Sequence, residues 1–314
     1  MKNYILGIDV GGTKVAYALF DAGGSIIDRT QHLTDAEAEG PGFSDTLISN
    51  IRAMMEKNEL TFDTLEGVGV CMPSHILQDE GRVYMTSSIP GIKDFPMLQY
   101  LSDRLPTRIA LVNDADAAAL AEHRRGAGSG KRHMVYLVLG TGLGSGIVID
   151  GKLFHGSYGF AGECGHMLAT PDSGFMCGCE NRGCFMSHAS GKFIPALVRS
   201  ALDRGAQSIL TPKSADGASL LEAYNAGDTL AAEVIGGMAY YFAVCVFNMY
   251  QILNIDTYVF GGGLVSMGEP LLGRIRSEFD RFNHLPLPVY FKTAQLVNDA
   301  ELIGAAEMIR SAVS

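Results

Sequence analysis

The chain repeats itself. Tyr4, Ile5 and Leu6 run into Gly7-Ile8-Asp9-Val10-Gly11-Gly12-Thr13-Lys14, and the apolar run Val15 to Phe20 follows. Asp21-Ala22-Gly23-Gly24 then turns into Ser25 to Arg29. The same order recurs: Met134 to Leu139, the turn Gly140-Thr141-Gly142-Leu143-Gly144-Ser145-Gly146, Ile147 to Ile149, Asp150-Gly151, and Lys152 to Phe154. Each copy reads as strand, Gly/Thr turn, strand, Asp/Gly turn, strand. The copies start about 130 residues apart, one domain's length. Two unrelated hairpins would share neither the Gly/Thr content nor the order, so an internal duplication is expected. Backbone N–H groups in such turns converge on an anion, because glycine admits close approach and positive φ. The plainer alternative is that these glycines serve only the hairpins.

The 314 residues are 47% hydrophobic and 18% charged, material for two cores. The net charge is -10 and no basic run occurs, which argues against nucleic acid or an anionic membrane as partner. The first four residues lack the regions of a signal peptide. Met238 to Leu253 is interrupted by Asn248 and Gln251 and reads as a buried helix, not a membrane span. A soluble cytoplasmic protein is expected, with its six cysteines as thiols.

Strands and helices alternate after the first repeat, which predicts an α/β fold. Ser44 is placed to cap a helix through Leu47, Ile48, Ile51, Met54 and Met55. Strands are expected at Leu65 to Cys71 and Arg108 to Val112, and helices near Pro96 to Arg104 and at Ala115 to Arg125. Ser87 to Gly91 reads as a loop, and the basic, Gly/Ser-rich Arg124 to Arg132 as a domain junction. Asp228 caps a long helix, Leu230 to Leu253. The strand Thr257 to Phe260 enters Gly261-Gly262-Gly263, and Asp299 to Ala312 reads as a final helix.

Three features carry chemistry. The turns at Thr13 and Thr141 could together hold the β- and γ-phosphates of a nucleotide; no Walker-type or dinucleotide fingerprint competes with them. Asn113-Asp114 ends a strand and opens a helix. It is either a helix cap or a carboxylate that accepts a hydroxyl proton during phosphoryl transfer. His166, Cys177, Cys179 and Cys184, spaced His-x10-Cys-x-Cys-x4-Cys, make a closed tetrahedral zinc shell with no open position, hence a structural metal. Buried thiols, or a nucleic-acid-binding knuckle, are the other readings; the acidic balance opposes the second.

In order along nearly the whole chain, these motifs resemble the ROK family of repressors and sugar kinases. They are Asp9 to Lys14, Asn113-Asp114, Gly140 to Gly144, Gly162-Glu163-Cys164-Gly165-His166, the cysteine knuckle and Phe260 to Gly263. The resemblance implies a two-lobed, duplicated actin-like ATPase (ribonuclease H-like) fold with a central cleft. Residues 1–126 would form the N-terminal lobe, with helix 299–314 packing back on it. Residues 127–298 would form the C-terminal lobe with the zinc knuckle. It implies ATP with Mg2+, structural Zn2+, a homodimer, and phosphorylation of the primary hydroxyl of a hexose or N-acetylhexosamine. By the same resemblance, Asp114 is the catalytic base, and Asn113, Glu163, His166 and Ser88 meet the sugar. Asp9 faces magnesium; Gly11, Gly12, Thr13, Lys14, Thr141 and Gly142 face phosphate; Gly262 and Gly263 face the adenosine side.

Two positions depart from the family pattern. Met186 stands where the family usually has a glutamate near the sugar's anomeric end, with Ser187 or His188 as the groups that could take its place. Ser88-Ile89-Pro90-Gly91-Ile92 replaces the usual Asn-Leu-Pro-Gly-Trp. They raise a second reading, a sugar-binding protein without kinase activity. A sugar-responsive regulator is disfavoured, because the first strand begins at residue 4 and leaves no room for a helix-turn-helix.

Overall fold

In the computed structural model, the described residues run from Asn3 to Ser311. The first repeat forms β1 (Tyr4–Val10), β2 (Lys14–Phe20) and β3 (Ile26–Leu33). Then come α1 (Gly40–Lys57), β4 (Leu65–Met72), β5 (Ser74–Leu77), β6 (Arg82–Thr86), β7 (Lys93–Phe95), α2 (Met97–Ser102), β8 (Arg108–Asn113) and α3 (Asp114–Arg125). The second repeat forms β9 (Met134–Leu139), β10 (Leu143–Ile149) and β11 (Lys152–Leu153). The remainder holds α4 (Phe185–Ala189), α5 (Ile194–Asp203), α6 (Gly217–Asn225), α7 (Thr229–Leu253), β12 (Thr257–Gly261), α8 (Glu269–Phe282), β13 (Tyr290–Thr293) and α9 (Ala300–Ser311).

The duplication is visible in the sheets. One has the order β3-β2-β1-β4-β8 and the other β11-β10-β9-β12-β13. Numbered within each repeat, both read third, second, first, fourth, fifth. In the first sheet β1, β4 and β8 are parallel neighbours, as β9, β12 and β13 are in the second. The chain divides into two compact units: Met1–Arg132 with Gly146–Ala161 and Gln295–Ser314, and His133–Ser145 with Gly162–Ala294. The junction expected after residue 126 therefore lies a few residues later. Residues 146–161 also go with unit 1, because Gly146 sits so close to Ala115 and Ala119 on α3 that no side chain would fit there.

Unit 1 places its first sheet between two helical layers. Side chains alternate along a strand. Leu6, Ile8 and Val10 join Leu47, Ile51 and Met54 of α1 in one core. Gly7 and Asp9 face the other way. On that side Cys71, Val112, Ala117 and Ala305 pack together, from β4, β8, α3 and α9. α9 lies against the sheet on glycines: a Cβ at Gly7 would strike the carbonyl of Leu302, and one at Gly69 the carbonyl of Ala305. Gly304 of the helix meets the carbonyl of Ala117 in α3 in the same way. Within unit 2, α7 packs against α4, α5, α6 and α8. It is the one helix among the described residues long and apolar enough to cross a membrane, and those neighbours make it a core helix.

Several boundaries differ from expectation. α1 begins at Gly40, with Glu39 at its N-cap and Pro41 in its first turn, so Ser44 lies inside it. Proline needs no N–H partner at a helix start, which makes this the better entry point. The second Gly/Thr turn contracts to Gly140–Gly142, because Leu143 to Gly146 already belong to β10. β5, β6 and β7 form a separate three-stranded sheet that short, polar-interrupted runs did not announce. Of the expected final helix, residues 312–314 lie outside the described residues.

Candidate active site

In unit 1 the polar residues gather at the C-terminal ends of the parallel strands, where ligands bind in open α/β sheets. Asp9 of β1 is in register with Cys71 of β4, and Cys71 with Val112 of β8; the next pair is Met72 with Asn113. The Cys71 thiol lies 3.6 Å from Asp9 Oδ1 and 3.5 Å from the Glu301 carbonyl oxygen, tying α9's first turn to the strand ends. Burial pushes the Asp9 carboxyl above its ordinary range, against the lowering effects of the Cys71 hydrogen bond and of Lys14. Burial also raises Glu301 to about 7; a backbone hydrogen bond opposes this, and the charges of Asp9, Asp114 and Asp299 add to it.

Asp114 is the first residue of α3, half-buried, and its Oδ1 accepts from the Ala115 N–H at 2.9 Å. Asn113 is the N-cap: its side-chain oxygen accepts from the Ala115 and Asp116 N–H groups, and its amide donates to Ser74 C=O at 3.0 Å. Capping thus fixes Asn113 and turns the following carboxylate out of the strand's end. The Gly11–Thr13 turn is braced by Thr34, whose N–H donates to Thr13 C=O and whose hydroxyl donates to Gly11 C=O. Gly12, Thr13 and Lys14 are exposed, open to an anion. The Ser88 hydroxyl lies beside Gly12, 3.4 Å from where a Cβ would stand.

In unit 2 the two glycine turns are neighbours because their strands are: Gly261 of β12 pairs with Val138 of β9. Gly262 has φ +87°, and a Cβ there would press on the Leu139 backbone. Thr141, Gly262 and Gly263 are exposed. The Ser145 hydroxyl and N–H both donate to Gly162 C=O, joining β10 to the loop that carries Glu163 and His166. The ring of His166 spans two groups, with Nδ1 3.5 Å from Cys177 Sγ and Nε2 3.9 Å from Glu163 Oε2. Cys179 and Cys184 sulfurs are 3.6 Å apart, and the four candidate ligand atoms lie within 4.8 Å of one another. Thiolates on one tetrahedral zinc would be about 3.7 Å apart, so the set fits such an ion.

Each unit therefore collects its own predicted residues: Asp9, Gly11 to Lys14, Ser88, Asn113 and Asp114 in unit 1, and Thr141, Gly142, Glu163, His166, the cysteines, Gly262 and Gly263 in unit 2. Sequence reasoning missed Glu301. An acidic residue opening a helix reads as a complement to the helix dipole, and only the return of α9 brings it beside Asp9.

The sequence matches the ROK family over residues 5–312. It is 31% identical to a glucokinase of Halalkalibacterium halodurans, over 98% of this chain and 95% of that protein. It is 29% identical to an N-acetylmannosamine kinase of Yersinia pestis, over 82% of each. Its fold is similar to that of a ROK family glucokinase from Streptomyces griseus solved in complex with glucose and AMPPNP. That TM-score is 0.79 at 28% identity, over 98% of this chain and 99% of that one.

Proposed function

The chain belongs to the ROK family and is a carbohydrate kinase, and on that premise we propose that it transfers the γ-phosphate of ATP to the primary hydroxyl of a hexose or N-acetylhexosamine. The observation that carries this reading is the half-buried Asp114, held at the mouth of the parallel strands beside Asp9 and Glu301. Asp114 orients the acceptor hydroxyl and takes its proton as the sugar oxygen bonds to phosphorus and ADP departs with the bridging oxygen. Asp9, a half-buried carboxylate among other acids, suits a hard cation, and would hold Mg2+ when nucleotide is bound. The cation supplies charge neutralisation on the phosphates. Lys14 and the N–H groups of Gly11 to Thr13 add to it in unit 1. In unit 2, Thr141 and Gly142 receive phosphate, Gly262 and Gly263 the adenosine side, and Glu163 the sugar. The thiolate and imidazole set of His166, Cys177, Cys179 and Cys184 would hold Zn2+ as a structural ion.

Asp114→Asn tests the assignment. The amide keeps the capping geometry but not the basicity, so turnover falls by about 10^3 or more while sugar affinity, read by calorimetry, stays within a few-fold. Turnover at the wild-type rate would remove Asp114 as the base. The second reading, sugar binding without transfer, draws on Met186, an apolar side chain beside Gly165. Nucleotide binding with no ATP consumption across hexoses, 2-acetamido sugars and ketoses would favour it.

A further inference from the structure

The loop that follows β6 is pinned on both sides of Ser88. Before it, Ser74 pairs with Thr86 across β5 and β6. The Thr86 hydroxyl donates to Pro73 C=O at 2.8 Å and accepts from Ser88 N–H at 3.3 Å. Ser74 C=O in turn holds the Asn113 amide, so one short stretch of backbone positions both Ser88 and the cap that precedes Asp114. After it, Ile89 and Ile92 are fully buried in the core shared with α1, and Ile92 N–H donates to Ile89 C=O at 2.9 Å. A Cβ at Gly91 would strike the carbonyl of Ala38.

Ser88 itself is half-buried, and its hydroxyl makes no hydrogen bond to any described residue. Its oxygen stands 3.4 Å, and its Cβ 3.7 Å, from where a Cβ at Gly12 would be. The side chain therefore lies against the exposed Gly12 of the first Gly/Thr turn. The N–H groups of Gly12 and Thr13 likewise donate to no described residue, and Lys14 is exposed beside them. Three open donors and a cation share one small patch. A charged oxygen that only accepts satisfies all of them, and hydrogen bonds to an ionised acceptor are the stronger kind.

The base decides which phosphate lies there. Asp114 and the Gly11–Thr13 turn both belong to unit 1. A phosphoryl group in transfer lies against the oxygen whose proton the base accepts. The phosphoryl held by unit 1 is thus the one in transit.

We propose that Ser88 binds the transferred phosphoryl and not the sugar: its hydroxyl donates to a γ-phosphate oxygen, as a side-chain extension of the Gly12–Thr13 turn. This rests on the kinase reading above. The family resemblance implied a sugar contact; the position against Gly12 favours phosphate. Ser88 gives up no proton in the reaction. It supplies one more fixed donor where charge spreads over the phosphoryl oxygens, and that donor has nothing to hold once ADP has replaced ATP.

The test is calorimetry of AMPPNP and ADP, each with Mg2+, and of the sugar that the wild-type chain turns over fastest from a panel of hexoses and 2-acetamido sugars, together with ATP turnover. Ser88→Ala should bind AMPPNP about tenfold or more weakly and lose kcat/KM for ATP by at least that factor. ADP and sugar affinities should stay within about twofold, a split that a general loosening of the loop would not give. Ser88→Thr, which keeps the hydroxyl, should retain most of the AMPPNP affinity. Ser88→Gly serves the same comparison if Ser88→Ala does not fold. Unchanged AMPPNP affinity in the folded variant overturns the inference and leaves the kinase reading standing. So does an equal loss for ADP, or a weakened sugar. No turnover of any sugar by the wild-type chain removes the kinase reading and this inference with it.

Discussion

Glu301 brings a pH dependence to the carboxylates of unit 1. Its ordinary value is 4.5, and burial, then its acidic neighbours, raise it to about 7 in the folded chain. Below pH 4.5 both folded and unfolded chains hold the proton, and the residue contributes no pH dependence. Between 4.5 and 7 the unfolded chain releases it first, so stability falls as pH rises; above 7 the loss is complete. Glu301→Gln should therefore melt at the wild-type temperature near pH 4, and increasingly above it from about pH 4.5 to 7, with a constant gain beyond. Melting curves across pH check this; a gain that shrinks with pH would refute the sign. Asp9 and Asp114 were legible in the sequence because each ends a recognisable strand. Glu301 was not, because Asp9 lies nearly the full chain length away and Asp114 more than half of it, and no local pattern encodes those distances.

Among the elements, the link from the cysteine cluster to α4 decides how a metal would act. Cys184 is the N-cap of α4, and the backbone just past that helix donates to the carbonyls of Gly140 and Thr141. A zinc ion on the four ligands would anchor one end of this link and stiffen the second Gly/Thr turn through it. Metal analysis should find about one zinc per chain. Stripping it with a chelator should speed amide exchange at Gly191 and Lys192 and weaken nucleotide binding about tenfold or more, while β1 to β4 keep their protection. Unchanged exchange after removal would detach the metal from the turn. The knuckle spacing and the Gly/Thr turn were each readable from the sequence. Their connection was not, since it runs through main-chain hydrogen bonds that no side-chain pattern specifies.

At the scale of the whole molecule, the sequence repeat has become two sheets of one strand order, yet the copies are not equivalent. Asp9, Asp114 and Glu301 all belong to unit 1, while β9 enters its turn with Val138 and Leu139. The duplication was legible because strand-turn-strand patterns are local. The assignment of residues 146–161 to unit 1 was not, because it depends on packing, whereas the return of the final helix to the first unit was what the family resemblance implied. Glu122 shows how that packing is held. Fully buried on α3, its carboxylate accepts from the N–H groups of Ala127, Gln295 and Leu296, gripping both stretches where the chain leaves and re-enters the unit. Glu122→Ala would leave three N–H groups without that partner, at about 1–3 kcal/mol for each that stays buried. Urea denaturation should show a loss of several kcal/mol, with Glu122→Gln losing less. α9 has a consequence in time as well as in space. A chain emerging from the ribosome exposes the glycine-lined side of its first sheet before residues 300–311 exist to cover it, and contacts of such long sequence separation close late. The half that bears the acidic trio is thus begun first and finished last, and a message cut short before that helix would yield the Gly11–Thr13 turn without the floor beneath it.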